Sequence, residues 1–308
     1  MAVEVSRRVY RLCAAGVFLL LVLPLWIVHY PPLVDYPNHL ARAFILAHVQ
    51  SPTLAQFYAP RWTVSPYLLM DAILVPAQQL MPLLLAGRIL LTVAVLALPV
   101  TSWFFLRAAN PGAELLATYS LLFCYNAFFR SGFVNWQLSL SLCFLALGIW
   151  LRFARRPRWS LWAALLVTAT ILYFAHFVNF AVAAFVILGH SLVSRRSLRE
   201  IATSLLPFVP GTLCYFYWER TEQAAPKLEF HITGQKLVDF VDPIRTYSPG
   251  LDAALIVGLA ASVVCLVCGT AILPGIDHGS SRRAPWPSSI SCALPSRARS
   301  STCGSPTP

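Results

Sequence analysis

Charge is what this 308-residue chain has least of: 11% of its residues are charged and 58% are hydrophobic. A soluble globular chain carries about 25% charged residues, so the composition excludes an ordinary soluble domain. Acids are scarcer than bases, 12 against 23, which leaves a net charge of +11. In a soluble protein that surplus points to nucleic acid. Here the positive residues fall in short clusters between apolar runs, the pattern that orients membrane helices, and nucleic acid is set aside as a partner. A disulfide framework is also missing. Cys13, Cys124, Cys143, Cys214, Cys265 and Cys268 lie in apolar segments. Cys265 and Cys268 form a CxxC on one helical turn, but with no partner pair they read as small buried hydrophobes. No metal-ligand spacing, cofactor motif or internal repeat is present.

Long apolar runs are what the chain does have. A hydrocarbon core of about 30 Å takes ~20 apolar residues as helix, and only helices or closed barrels satisfy their backbone there. The expected fold is all-α, a polytopic transmembrane helical bundle of about eight spans, some of them short: residues 12–28, 87–106, 114–129, 133–151, 160–173, 180–193, 201–218 and 251–273. No small-residue cleavage site follows the first run, so it is expected to be a retained helix. Arg7, Arg8 and Arg11 place the N-terminus on the cytoplasmic side. The strongest basic cluster, Arg152, Arg155, Arg156 and Arg158, belongs on that side too. That parity holds only if residues 66–82 lie flat or half-embedded rather than crossing.

The transmembrane domain is expected to cover residues 1–274. Residues 275–308 are rich in Ser, Pro and Arg without an apolar period. Two readings stand for them: a disordered basic tail, or a shifted reading frame on a C-terminally truncated protein.

Chemistry concentrates in the first outer loop, residues 29–86. The stretch Asp35-Tyr36-Pro37-Asn38-His39-Leu40-Ala41-Arg42 puts an acid, an amide, an imidazole and a guanidinium within eight residues. Pro37 suits the first turn of a helix, with Asp35 or Tyr36 as its cap. Leu40, Phe44 and Ala47 are expected to line the apolar face of a helix lying on the membrane surface. Asn38, His39 and Arg42 are spaced to share another face, and Arg is suited to phosphate because its fork gives paired hydrogen bonds. The bland alternatives are that Asp35 only caps the helix, worth about 1 kcal/mol, and that the other three form a solvated face. Parity puts Arg88, Asn126, Arg130, Asn135, His176 and Asn179 at outer helix ends. Polar groups there face a cavity or a partner, although turns also carry ordinary interfacial residues. Asp71, costly beside lipid, is expected to pair with Arg61 or Arg88.

The order of these features resembles the GT-C superfamily of membrane glycosyltransferases. Asp35 looks like the acid those enzymes carry just after helix one. Ser65-Pro66-Tyr67-Leu68-Leu69-Met70-Asp71 looks like the later Pro-containing segment of the same loop. Ala86-Gly87-Arg88 looks like the Arg at the head of helix two. The resemblance covers roughly residues 10 to 200. Many members pair the acid as D-x-D, whereas here the second position is Pro37. The resemblance implies sugar transfer from a polyprenyl-phosphate donor at the outer face of a bacterial inner membrane. Asp35 would be the catalytic base. Asn38, His39, Arg42, Asp71, Arg88, Asn126, Arg130, Asn135, His176 and Asn179 would line the substrate site. A non-catalytic transporter or scaffold is the alternative, and a transporter is expected to show repeated halves with matching broken helices.

Overall fold

The computed structural model describes residues 2–60 and 62–221, together with 250, 253 and 257. One compact unit covers Met1–Val257. Residues 222–249, most of the last expected span, the CxxC and the tail lie outside the described residues.

The described elements are helical throughout. In order they are α1 (Ala2–Ile27), α2 (Tyr36–Ala47), α3 (Pro52–Ala55), α4 (Leu69–Ala77), α5 (Leu83–Ala109), a 3-10 helix (Glu114–Phe123) and α6 (Ala127–Arg130). Then come α7 (Val134–Arg155), α8 (Trp159–Ala175), α9 (Phe177–Val193), α10 (Leu198–Leu205), a 3-10 turn (Leu206–Phe208) and α11 (Val209–Thr221).

Among the described residues two helices, α5 and α7, are long and apolar enough to cross a membrane. They have 27 and 22 residues, about 40 and 33 Å at 1.5 Å per residue. The other expected spans fall on shorter or broken helices. α8 and α9 have 17 residues each, only about 25 Å. Residues 114–129 do not form one α-helix, because the first ten are 3-10 and rise about 20 Å. Residues 201–218 are divided among α10, the 3-10 turn containing Pro207, and α11. α4 has nine residues, about 14 Å, too short to cross.

The core forms two clusters along one bundle. The first packs α2, α4, α5 and the start of α7 through Tyr36, Leu40, Met70, Leu74, Leu91, Phe129 and Val134. The second packs α7, α8 and α9 through Trp150, Leu165, Leu172, Tyr173, Phe180 and Ile187. The outer faces keep large apolar side chains exposed, among them Leu19, Leu20, Leu23, Val93, Val100, Val167, Phe185 and Phe216.

The two ends of the bundle differ in chemistry. At one end Arg155 donates to the Ala109 carbonyl at 2.8 Å, closing α7 onto the end of α5. Arg107 lies over Trp103, Arg152 over Phe104 and Arg196 over Trp150. At the other end the Asp35 loop, the heads of α5 and α7, and the α8–α9 turn meet. That polar end carries the candidate site.

Candidate functional site

The loop before α2 is clasped by the turn between α6 and α7. The Val34 N–H donates to the Arg130 carbonyl at 3.1 Å, and the Asp35 N–H to the Ser131 carbonyl at 2.9 Å. Gly132 makes this possible. Its φ is +90°, and a Cβ there would sit 2.5 Å from the Tyr36 nitrogen and 2.6 Å from that of Asp35.

Asp35 holds the N-cap position of α2, yet its side chain makes no cap hydrogen bond. The carboxylate instead turns along the helix. Oδ1 accepts from the Asn38 amide at 2.8 Å, and Oδ2 lies 3.3 Å from His39 Nε2. The acid is half-buried and oriented by an imidazole one turn on. The buried face of α2 is Tyr36, Leu40 and Ala43, whereas Phe44 is 45% exposed. The expected apolar face, Leu40 with Phe44 and Ala47, is therefore rotated, because Tyr36 anchors the helix against Gly87 of α5.

Of the two expected partners of Asp71, Arg61 lies outside the described residues, and Arg88 donates to the Val28 and His29 carbonyls instead. The Asp71 Oδ2 is 3.1 Å from the Arg42 guanidinium. The carboxyl is buried, and among the described residues its Oδ1 has no hydrogen-bond partner. Burial raises the Asp71 pKa above the ordinary carboxylate value, with the positive fields of Arg42 and His39 opposing that rise. Arg42 spans the boundary between this buried acid and solvent. With Asn38, Ile45, Leu46, Tyr58 and Pro60 it lines a cleft of about 400 Å³. Asp35, Asn38, His39, Arg42 and Asp71 thus form one strip of polar side chains across α2 and α4.

A second group braces that strip. Asn135 is buried in α7; its Oδ1 accepts from the Met70 N–H at 3.0 Å and its amide donates to the Tyr67 carbonyl at 2.6 Å. Tyr67 has a φ of +76°, and its ring meets the His176 ring edge-on at 4.8 Å. The Tyr173 hydroxyl donates to the Val64 carbonyl at 2.9 Å. His176 caps α9 by accepting from the Val178 N–H. That role needs an unprotonated ring nitrogen, and burial lowers the His176 pKa to about 4.

The other expected site residues serve the frame. Arg88 donates to the carbonyls of Val28 and His29 at 3.2 and 2.9 Å, where the last turn of α1 leaves carbonyls without intrahelical partners. Asn126 caps α6 through the Phe129 N–H and donates to Gln137 Oε1 at 2.7 Å. Asn179 donates to Ser139 Oγ at 2.6 Å. Arg130 enters through its backbone carbonyl. Among the described residues, no three His, Cys, Asp or Glu side chains gather to hold a metal ion.

Two participants were not anticipated from the sequence. Gln137 is fully buried, with no partner for its Nε2 among the described residues, and an amide inside an apolar run is the signal that marks it. Tyr58 on the cleft wall carries no local signal, because only the fold brings it to Arg42. No family model, curated protein or solved structure matches the chain, so no relative assigns a role to any of these residues.

Proposed function

We propose that the chain is an integral membrane protein of the plasma membrane. Its arginine-rich end faces the cytoplasm and its polar end faces outward. The exposed apolar faces of α1, α5, α8 and α9 would contact lipid, since a water-facing surface seldom carries so large an apolar area. The reading of its activity is a glycosyltransferase using a polyprenyl-phosphate sugar. The acceptor hydroxyl attacks the anomeric carbon while Asp35 takes its proton. The bond from that carbon to the phosphate oxygen breaks, and polyprenyl phosphate leaves against the Arg42 guanidinium.

One observation carries this reading. The Asp35 carboxylate is not spent as a helix cap; it is half-exposed and oriented by Asn38 and His39, and Asn38 and Arg42 line the cleft beside it. The test is transfer of a labelled sugar from its polyprenyl phosphate in proteoliposomes. Asp35→Asn is expected to abolish transfer while leaving the melting curve intact. Transfer by that variant at the wild-type rate would overturn the assignment. A wild-type protein that binds the lipid phosphate but transfers nothing would favour the non-catalytic alternative.

A further inference from the structure

The Arg42–Asp71 pair sets a problem of its own. Among the described residues that line the cleft Arg42 is the cation, yet a buried acid on α4 already engages it. The two partners are unequally placed. The Arg42 side chain is 54% exposed and that of Asp71 is 3% exposed. Water can solvate Arg42 when the pair opens; it cannot easily solvate Asp71. An ionised carboxylate left alone in that setting is strongly disfavoured, and such a group neutralises instead. Among the described residues its Oδ1 has no hydrogen-bond partner, and Arg42 is the cation that compensates it.

We infer that the α2–Tyr58 cleft is a phosphodiester-binding site in which Asp71 is the internal competitor for Arg42, so that binding the anion is coupled to uptake of one proton by Asp71. The inference rests on the role given to Arg42 in the proposed function and adds a residue that tunes it without touching the ligand. The cleft suits a phosphate carrying an alkyl chain, with Arg42 and Asn38 for the phosphate and Ile45, Leu46 and Pro60 for the chain. When the phosphate draws the guanidinium outward, Asp71 takes a proton from solvent and becomes a neutral acid. The groups around Asp71 permit this. From α2 come Arg42 and His39. α7 supplies the neutral Asn135 to the adjacent Met70 N–H. Arg88 of α5 is turned to the end of α1, and the Tyr173 hydroxyl of α8 to Val64.

The experiment measures calorimetric binding of dioctyl phosphate to the full chain in detergent across a pH series. That phosphodiester keeps one charge throughout, so its own titration does not enter. Wild-type affinity is expected to fall about tenfold per pH unit once Asp71 is ionised. Asp71→Asn is expected to bind at the tight acid-limit affinity with no slope, and His39→Gln to keep the slope. Infrared difference spectra supply a second readout. Adding dioctyl phosphate to the wild type at neutral pH is expected to raise a protonated-carboxyl band that Asp71→Asn lacks. A wild-type slope in Asp71→Asn, a missing band, or no binding by any form overturns the inference. Unchanged binding in Arg42→Gln overturns the role of Arg42 itself. Loss of sugar transfer in Asp35→Asn would survive the first three results, so the two readings fail separately.

Discussion

Asn135 shows how one buried amide sets the path of a loop. Its two hydrogen bonds fix Tyr67 and Met70, and through them the start of α4 and the position of Asp71. Asn135→Ala leaves a buried N–H and a carbonyl without partners, at about 1–3 kcal/mol each. Thermal melts in detergent are expected to show a loss of about 3 kcal/mol; a wild-type curve would mean that water replaces the amide. His176 gives a pH dependence whose sign follows from its burial. Its pKa is lowered from 6.5 to about 4 in the folded chain. Between those values the unfolded chain binds more protons, so stability is present above pH 6.5 and is lost as pH falls towards 4. His176→Phe is expected to flatten that part of the stability–pH curve, read by denaturant titration. The raised pKa of Asp71 acts in the opposite sense. The folded chain holds that proton longer, so this group's contribution declines as pH rises from about 3.8 to its folded value.

Between elements, contacts follow from how closely two backbones approach. Gly132 and Gly112 both have positive φ, +90° and +104°, and each substitution by Ala carries the strain of that conformation, about 1 kcal/mol. Only Gly132 is also packed against backbone, at Asp35 and Tyr36, while a Cβ at Gly112 meets nothing within 4 Å. Gly132→Ala is therefore expected to destabilise far more than Gly112→Ala, by at least about 2 kcal/mol, and to loosen the Asp35 loop. Equal losses in paired melting experiments would show that the clasp is not needed. The orientation of α2 belongs to the same scale. Its Tyr36 and Leu40 pack on protein, while Phe44 stays on the exposed side.

At the scale of the whole molecule Arg107, Arg152, Arg155 and Arg196 gather at one end, while Arg42 and Arg88 sit with the acid–amide strip at the other. Under the proposed membrane location the first end faces the cytoplasm, because cationic loops stay on that side. In a cysteine-free background, His48→Cys is expected to react with an impermeant maleimide added outside intact cells. Arg155→Cys is expected to react only after permeabilisation. The reverse pattern would overturn the orientation.

The helical class was legible in the sequence because apolar content and the scarcity of charge leave few other ways to satisfy a backbone. The local grouping of Asp35, Asn38, His39 and Arg42 was legible too, since residues three and four apart share a helical face. The partner of Asp71 was not. Arg42 lies 29 positions away on another helix, and hydropathy carries no information about which of several arginines a fold brings within 3.1 Å. The same limit applies to the lengths of the crossing segments. An apolar run records how much chain avoids water, but whether residues 114–129 rise as one α-helix or as a broken 3-10 segment depends on packing. The 3-10 helix lies along α5, with the Cys124 thiol reaching the Val95 carbonyl. Sequence alone determined the helical class and the chemistry carried on α2. Tertiary contact decided which acid meets which base, because that pairing depends on distances between helices that no local period encodes.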